Sequence, residues 1–323
     1  VLITGGAGFI GHHLIEAILK NTDWEVVTLD RLDYSGDLGR LSEISAWPQA
    51  RHRVRFVWHD LRAGINPTVA RRIGGVELVL HLAAATHVDR SIEDPMGFVQ
   101  DNVVGTTNLL LWARDARPAQ FLYFSTDEVF GPAPNGRSYA EWDRYRSANP
   151  YAATKAGAEE LCLAFQNTYG LPIAITHTMN VFGERQSPEK FIPSTVRKVR
   201  DGETVQIHAD ATRTISGSRF YIHARNVAAA MMFLHQRALP GEKYNIVGER
   251  EVSNLELAQL IAATVGRDLK YEMVSWHASR PGHDLRYALD GSRLAAMGWR
   301  QPVDFEESLR RTIQWTLEHP EWL

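Results

Sequence analysis

Residues Val1 to Gly11 read VLITGGAGFIG, and this stretch decides the fold. The apolar run VLIT predicts a strand. Gly5, Gly8 and Gly11 follow in G-x-x-G-x-x-G spacing, and FIGHHLIEAILK continues with a helical pattern. Glycines permit a tight turn and close backbone approach, so a pyrophosphate can rest on the N-terminus of the helix that follows. The next β-rich run, EVVTLD, ends in Asp30. That is near the ~20-residue interval expected for an acid that holds an adenine ribose through its hydroxyls. Singly, the glycines read equally well as a ligand-free turn and Asp30 as a strand-end charge. In strand, turn, helix, strand order they point to a dinucleotide. Asp30 repels a 2′-phosphate and so favours NAD over NADP; Arg31 beside it weakens that preference without reversing it.

Outward from this unit, β-rich runs alternate with helical patterns: VRFVWHD, VELVLHLAA, FLYFST and PIAITHTMNV, with GFVQDNVVGTTNLLLWARDA and AATKAGAEELCLAFQNTYG among them. Near-continuous apolar strands suit a parallel sheet covered on both faces. The pattern predicts an α/β fold, a Rossmann-type doubly wound parallel sheet. The rhythm breaks after about Asn180. Residues 1–180 are expected to form the dinucleotide-binding domain, with later segments at about 220–246 returning to it. Residues 181–323 should mainly build a smaller C-terminal lobe. Within that lobe Ser253 and Glu256 form an S-x-x-E capping box before LELAQLIAATV, Gly266 stops the helix, and FEESLRRTIQWTLEH closes the chain as another.

Lys and Arg total 35 against 38 Asp and Glu, a formal charge of -3, which leaves no electrostatic footprint for nucleic acid or an anionic membrane. A hydrophobic content of 44% over 323 residues supports a large core and argues against disorder. Cys162 is the single cysteine, so an internal disulfide is impossible, and a reducing cytoplasm fits. No apolar run is long enough to span a bilayer, and no signal-peptide pattern is seen. The chain opens directly on VLIT without an initiator Met, so a few natural residues are expected before it. The histidines, His12, His13 and His87 included, form no convincing metal-ligand pattern, and no metal is expected.

NPYAATKAG sets Tyr151 and Lys155 four apart at the start of a helix, hence on one face. A lysine ammonium lowers a neighbouring phenol's pKa and lets it take a hydroxyl proton while hydride leaves the same carbon. By itself Y-x-x-x-K reads as a helix-surface pair; behind a glycine loop and a strand ending in Ser-Thr it reads as a catalytic base. Upstream, STDEVFG places Asp127 and Glu128 side by side where an apolar run ends. Neighbours in an ideal strand point to opposite faces, so both can face one substrate only if the chain turns at Asp127. The Gly and Pro of VFGPAPNG suit such an exit.

With TGGAGFIG, LDRLDYSGD, HLAAATHVDRSIEDP, STDEVFG, NPYAATKAG, SPEKFIP and RPGHDLRYALD, the chain resembles the extended short-chain dehydrogenase/reductases that act on nucleotide sugars, and within them the dTDP-glucose 4,6-dehydratase family. The resemblance implies an NAD-dependent lyase. Tyr151 with Lys155 would open the reaction by oxidation at sugar C4, Thr126 assisting. Glu128 would remove the C5 proton, and Asp127, held protonated, would supply one to the departing C6 hydroxyl. It also implies cofactor contacts at Gly5, Gly8, Phe9, Ile10, Gly11, Asp30, Arg31, Asp60, Leu61, Leu82, Ala83, Ala84, Asn102, Ser125, Tyr151 and Lys155. Substrate contacts would fall on Thr126, Asn180, Lys190, Arg219, Asn254, Arg280 and His283, their cationic and amide donors suiting a diphosphate. Taken alone, each of those Arg and Lys reads as a solvated charge. A nucleotide-diphosphate sugar is thus the expected partner, in a homodimer joined through helices near Val103 to Trp112 and Ala156 to Phe165, whose apolar faces read equally as core. Thr86, NVFGERQ and SGSRFYIHARN depart from the family pattern near regions that select nucleotide and sugar. A nucleotide-sugar 4-epimerase and a non-catalytic NAD-binding regulatory protein are the competing readings.

Overall fold

Residues with apolar side chains on both faces of an extended run build an interior sheet. The computed structural model describes residues 1–275 and 285–323. The six strands expected before residue 180 form as β1 (Leu2–Thr4), β2 (Val26–Asp30), β3 (Val54–Trp58), β4 (Leu78–His81), β5 (Gln120–Thr126) and β6 (Ile173–Thr178). Beyond them come β7 (Val181–Phe182), β8 (Val205–Ala209), β9 (Ser218–Phe220), β10 (Ile222–His223), β11 (Lys243–Ile246), β12 (Glu251–Ser253) and β13 (Tyr271–Ser275). Among the described residues the main sheet has seven strands in the order β11-β6-β5-β4-β1-β2-β3. Every pairing in it is parallel. Strand order runs outward in one direction through β2 and β3 and in the other through β4, β5 and β6. The loops leaving the C-terminal ends of β1 and β4 therefore part, and a crevice opens between them.

The longer helices are α1 (Phe9–Asn21), α2 (Gly105–Ala116), α3 (Pro150–Tyr169), α4 (Phe191–Asp201), α5 (Ala224–His235), α6 (Asn254–Val265) and α7 (Phe305–Glu318). On one sheet face Leu14, Ile15 and Ile18 of α1 and Val227, Met231 and Leu234 of α5 pack on Ile3, Leu80 and Leu122. On the other, Leu109, Leu110 and Trp112 of α2 and Cys162 and Phe165 of α3 cover Val79, Phe121 and Tyr123. Burying one such large side chain is worth roughly 1.5–3 kcal/mol. The run GFVQDNVVGTTNLLLWARDA, expected as one helix, is interrupted by a π-helical turn at Val99–Val104 before α2. Within the interruption Asp101 and Asn102, adjacent in sequence, each bond to a different segment of the crevice wall.

The smaller lobe is built from α4, α6 and α7 with three two-stranded sheets, β7 with β10, β9 with β12 and β8 with β13. Its core joins Ile192, Val196, Leu257, Ile261, Phe305, Leu309 and Ile313. Ser253 caps α6 by accepting a hydrogen bond from Glu256 N at 3.1 Å, and Gly266 ends it at φ +75°. The Glu256 carboxylate accepts from Arg250 Nη1 at 2.8 Å, so the expected box carries an arginine partner. Among the described residues no helix is long and apolar enough to cross a membrane.

Candidate active site

Helix α1 starts after Gly8, which is extended, and no side chain caps its first turn. The backbone N–H groups of Phe9, Ile10 and Gly11 are thus among those a helix leaves unbonded at its N-terminus, where an anion is favoured. Gly5 turns the chain at φ +72° and its N–H donates to Leu29 O at 2.9 Å. A Cβ on Gly11 would lie 2.2 Å from the Gly5 carbonyl oxygen, and one on Gly5 would lie 2.9 Å from the Ala83 backbone. The loop closes this tightly only without side chains, forming a cradle of the kind a pyrophosphate needs. At the end of β2 the Asp30 carboxylate accepts from Ala7 N at 3.1 Å and Leu32 N at 2.9 Å. Burial raises its pKa, opposed by those two bonds. Loop, helix terminus and acid together fit a dinucleotide.

Of two further expected cofactor residues, Arg31 lines the crevice and Asn102 stands behind its wall. Arg31 is engaged by carboxylates: its Nη1 and Nη2 donate to Asp101 at 2.5 and 2.9 Å, and its Nε and Nη2 to Asp33 at 3.1 and 2.7 Å. Asn102, 1% exposed, does not line the crevice. It accepts from Ala85 N at 2.8 Å and donates to Ala85 O and Thr154 Oγ1 at 3.0 Å, which sets the wall from behind. A short polar side chain inside the helix was legible in sequence, but its direction was not. Asp60 and Leu61 after β3, and Leu82, Ala83 and Ala84 after β4, do line the crevice.

β5 ends at Thr126, and Asp127–Phe130 turn immediately into a 3₁₀ helix. This turn meets the condition for two adjacent acids to face one ligand: Asp127 and Glu128 both line the cleft. Gly131 closes the turn at φ +75°, where a Cβ would lie 2.2 Å from Arg146 O. Asp127 Oδ1 accepts from the Thr126 hydroxyl at 3.0 Å, while Oδ2 is buried without a hydrogen-bond partner among the described residues. Burial, with the Glu128 charge second, pushes its pKa up to about 7. Glu128 Oε2 accepts from Asn149 Nδ2 at 3.0 Å.

Asn149 is also the N-cap of α3, its Oδ1 accepting from Ala152 N at 2.8 Å, so Tyr151 enters the site in the first helical turn. Burial raises the Tyr151 phenol and Glu128 adds to it, while a hydrogen bond with Thr126 acts the other way. Lys155, one helical turn on, lines the same cleft as Tyr151. Its Nζ donates to Phe124 O at 2.7 Å and lies 4.3 Å from the centre of the Tyr123 ring. Burial brings the lysine down to about 8, with Glu159 opposing.

One cleft of about 620 Å³ holds Thr126, Asp127, Glu128, Tyr151, Lys155, Ser125 and Asn180 together with the glycine loop, and from the second lobe Lys190, Arg219 and Asn254. Arg219 stacks 4.7 Å from the Tyr287 ring centre, and its charge acts on Asp127. Arg280 and His283 lie outside the described residues. Of the departures, Thr86, Val181, Phe182 and Gln186 line the cleft. Glu184 and Arg185 turn back against α1: Arg185 Nε donates to His12 Nε2 at 2.9 Å, and Glu184 lies 3.0 Å from His223. Among the described residues no group of three or more His, Cys, Asp or Glu could hold a metal ion.

Three positioning elements were not anticipated. Asn149 joins a helix cap to Glu128, and Asp101 joins the π turn to Arg31. Glu159, wholly buried, gathers Ser125, Tyr145 and His177 under the ends of β5 and β6. Position i+4 after Lys155 was the available signal for Glu159.

Comparison with known proteins bears on this geometry. The model of the NAD dependent epimerase/dehydratase family matches residues 1–247. A dTDP-glucose 4,6-dehydratase of Salmonella typhimurium is 34% identical over all of this chain and 94% of its own. The low-salt glycan biosynthesis protein Agl12 of Haloferax volcanii is 38% identical over 98% of each chain. The crystal structure of DesIV, a dTDP-glucose 4,6-dehydratase from Streptomyces venezuelae with NAD and TYD bound, is 36% identical, covers 99% of this chain and 98% of its own, and superposes with a TM-score of 0.89. Structures of UDP-sugar 4-epimerases share the fold as well.

Proposed function

The chain belongs to the NAD-dependent epimerase/dehydratase family, and from that premise we propose how its cleft performs a 4,6-dehydration of a nucleotide sugar. It is an NAD-dependent nucleotide-sugar 4,6-dehydratase, a hydro-lyase. The observation that carries the reading is the pair Asp127 and Glu128, turned together into the cleft with one carboxyl pushed up to about 7 beside a charged neighbour. One carboxyl neutral and one ionised is the condition that acid and base roles on a single substrate require.

NAD held by the glycine loop and Asp30 would supply the hydride acceptor for oxidation at sugar C4 and, once reduced, the hydride donor for C6. Tyr151 takes the C4 hydroxyl proton, with the Thr126 hydroxyl hydrogen-bonded to both Tyr151 and Asp127. Glu128, oriented by Asn149, removes the C5 proton that a C4 ketone makes acidic. Asp127 gives its proton to the C6 hydroxyl, which leaves as water. Gly5, Gly8, Phe9, Ile10 and Gly11 hold the pyrophosphate, and Asp30 the ribose. Asn180, Lys190, Arg219 and Asn254 receive the sugar nucleotide, with Arg219 and Lys190 supplying charge for its diphosphate. Similarity to dTDP-glucose dehydratases favours dTDP-glucose among the possible substrates. The same reading extends to a cytoplasmic homodimer through α2 and α3, although Leu109, Leu110, Trp112 and Phe165 are spent on the core and leave only positions such as Leu111 outward.

Incubating the protein with dTDP-, UDP-, GDP- and CDP-hexoses and reading product masses tests this. The expected product is lighter by one water, formed without added reductant. A product of unchanged mass with inverted C4 would make it an epimerase, and no turnover of any sugar would favour a regulatory NAD-binding role.

A further inference from the structure

At the end of the cleft marked by Asp30, Arg31 follows the acid read as holding the ribose and lines the same wall. Four of its five N–H groups are already donated, two to Asp101 and two to Asp33. Asp101 is itself gripped from the other side, accepting from Arg62 Nε at 2.6 Å and Nη2 at 3.1 Å. Seven charged groups line this end: Asp30, Asp33, Asp60 and Asp101 against Arg31, Arg62 and Arg40, the last donating to the backbone oxygens of Ala7, Ser35 and Arg185. Carboxylates exceed guanidiniums by one, so the local field opposes a phosphate dianion. The π turn at Val99–Val104 delivers Asp101 to this position while Asn102 beside it braces Ala85.

We propose that Asp101 is a specificity-determining residue for the cofactor: by clamping Arg31 bidentately it withholds that guanidinium from a 2′-phosphate and keeps the enzyme on NAD. The assignment rests on the reading that the adenine ribose lies at Asp30. A planar guanidinium held by two carboxylates cannot offer its fork to a third anion without breaking those bonds. Releasing one clamp changes Arg31 from a neutralised strut into a phosphate ligand and removes one repelling charge.

The test equilibrates purified protein with equimolar NAD⁺ and NADP⁺, removes free nucleotide by gel filtration, and quantifies what denaturation releases. Wild-type protein is expected to retain NAD⁺. Asp101→Asn is expected to raise the NADP⁺ to NAD⁺ ratio by about tenfold, the scale of one removed nearby charge. Adding Arg31→Ala to Asp101→Asn should abolish that gain. An unchanged ratio in folded Asp101→Asn, or a gain that survives loss of Arg31, overturns the proposal. Should Asp101→Asn fail to fold, Asp33→Asn releases the other half of the clamp and is expected to raise the ratio less; no rise there overturns it equally. Wild-type protein that retains neither dinucleotide overturns the cofactor reading as well, a result separable from the others because it appears before any substitution.

Discussion

Asp127 carries opposite demands in one side chain, since it needs burial to stay protonated and a partner to receive its proton. Its unpartnered Oδ2 and a pKa near 7 have a definite sign for stability. The folded-state value lies above the ordinary aspartate value of about 4, so between about pH 4 and 7 the folded protein binds more protons than the unfolded chain. Stability therefore falls as pH rises through that window, by about 4 kcal/mol at most, and is level above it. Asp127→Asn keeps the shape without the ionisation and should remove this fall, as urea unfolding at pH 5 and pH 8 would read. Catalysis follows the same proton. The wild-type kcat/KM for water loss should decline above about pH 7. In Asp127→Asn it should be lower by about 10²–10⁴ and lack that limb. A variant that keeps the limb removes Asp127 from the acid role.

At the scale of elements, the chemistry depends on two neighbouring terminations. β5 stops at Thr126 and turns, and α3 begins at Asn149, whose two amide atoms serve helix and catalyst separately: Oδ1 caps Ala152 N and Nδ2 holds Glu128. Asn149→Ala should cost about 1 kcal/mol for the cap and a further 1.5–3 kcal/mol of interaction with Glu128, appearing as a lower unfolding midpoint and a lower kcat. Asn149→Ser separates the two, because a serine hydroxyl can cap the helix but offers no amide N–H to Glu128. Its stability should recover only by the cap's share of about 1 kcal/mol while kcat stays low, and recovery of kcat would deny Asn149 a role in orienting the base. These terminations also mark what sequence could and could not disclose. Strand ends, the Gly131 turn and the S-x-x-E cap depend on residues close in sequence and were legible. The Lys155 partner was not, because the Phe124 carbonyl reaches it only when α3 lies on β5. The Arg31 clamp was equally hidden: Asp101 arrives from 70 positions away on a π turn that an uninterrupted helical period conceals.

For the whole molecule, the boundary expected near residue 180 meets a core that is not confined to one side of it. β11 hydrogen-bonds to β6 from Lys243 to Ile246, and α5 packs on α1. Val227, Met231, Leu234, Tyr244 and Ile246 share a single cluster with Leu14, Ile15, Ile18 and Leu122, and Leu294 joins it from still later in the chain. A fragment ending at residue 180 would lose, from α5 and β11 alone, five large buried side chains, at roughly 1.5–3 kcal/mol each. That is about 10 kcal/mol, comparable with the whole net stability of a typical domain, which runs to about 5–15 kcal/mol. It would also leave β6 as an open, apolar edge. The cleft has the same dependence, since β5 and β6 position Ser125 to Glu128 while Arg219 and Asn254 come from beyond the cut. Residues 1–180 expressed alone should therefore aggregate or unfold without a cooperative transition, whereas the full chain melts cooperatively by circular dichroism. A soluble 1–180 fragment with a sharp melt near that of the full chain would mean that the sheet does not need its returning strand. The catalytic acids and glycine loop would then belong to a self-sufficient unit, and the second lobe would contribute substrate contacts alone.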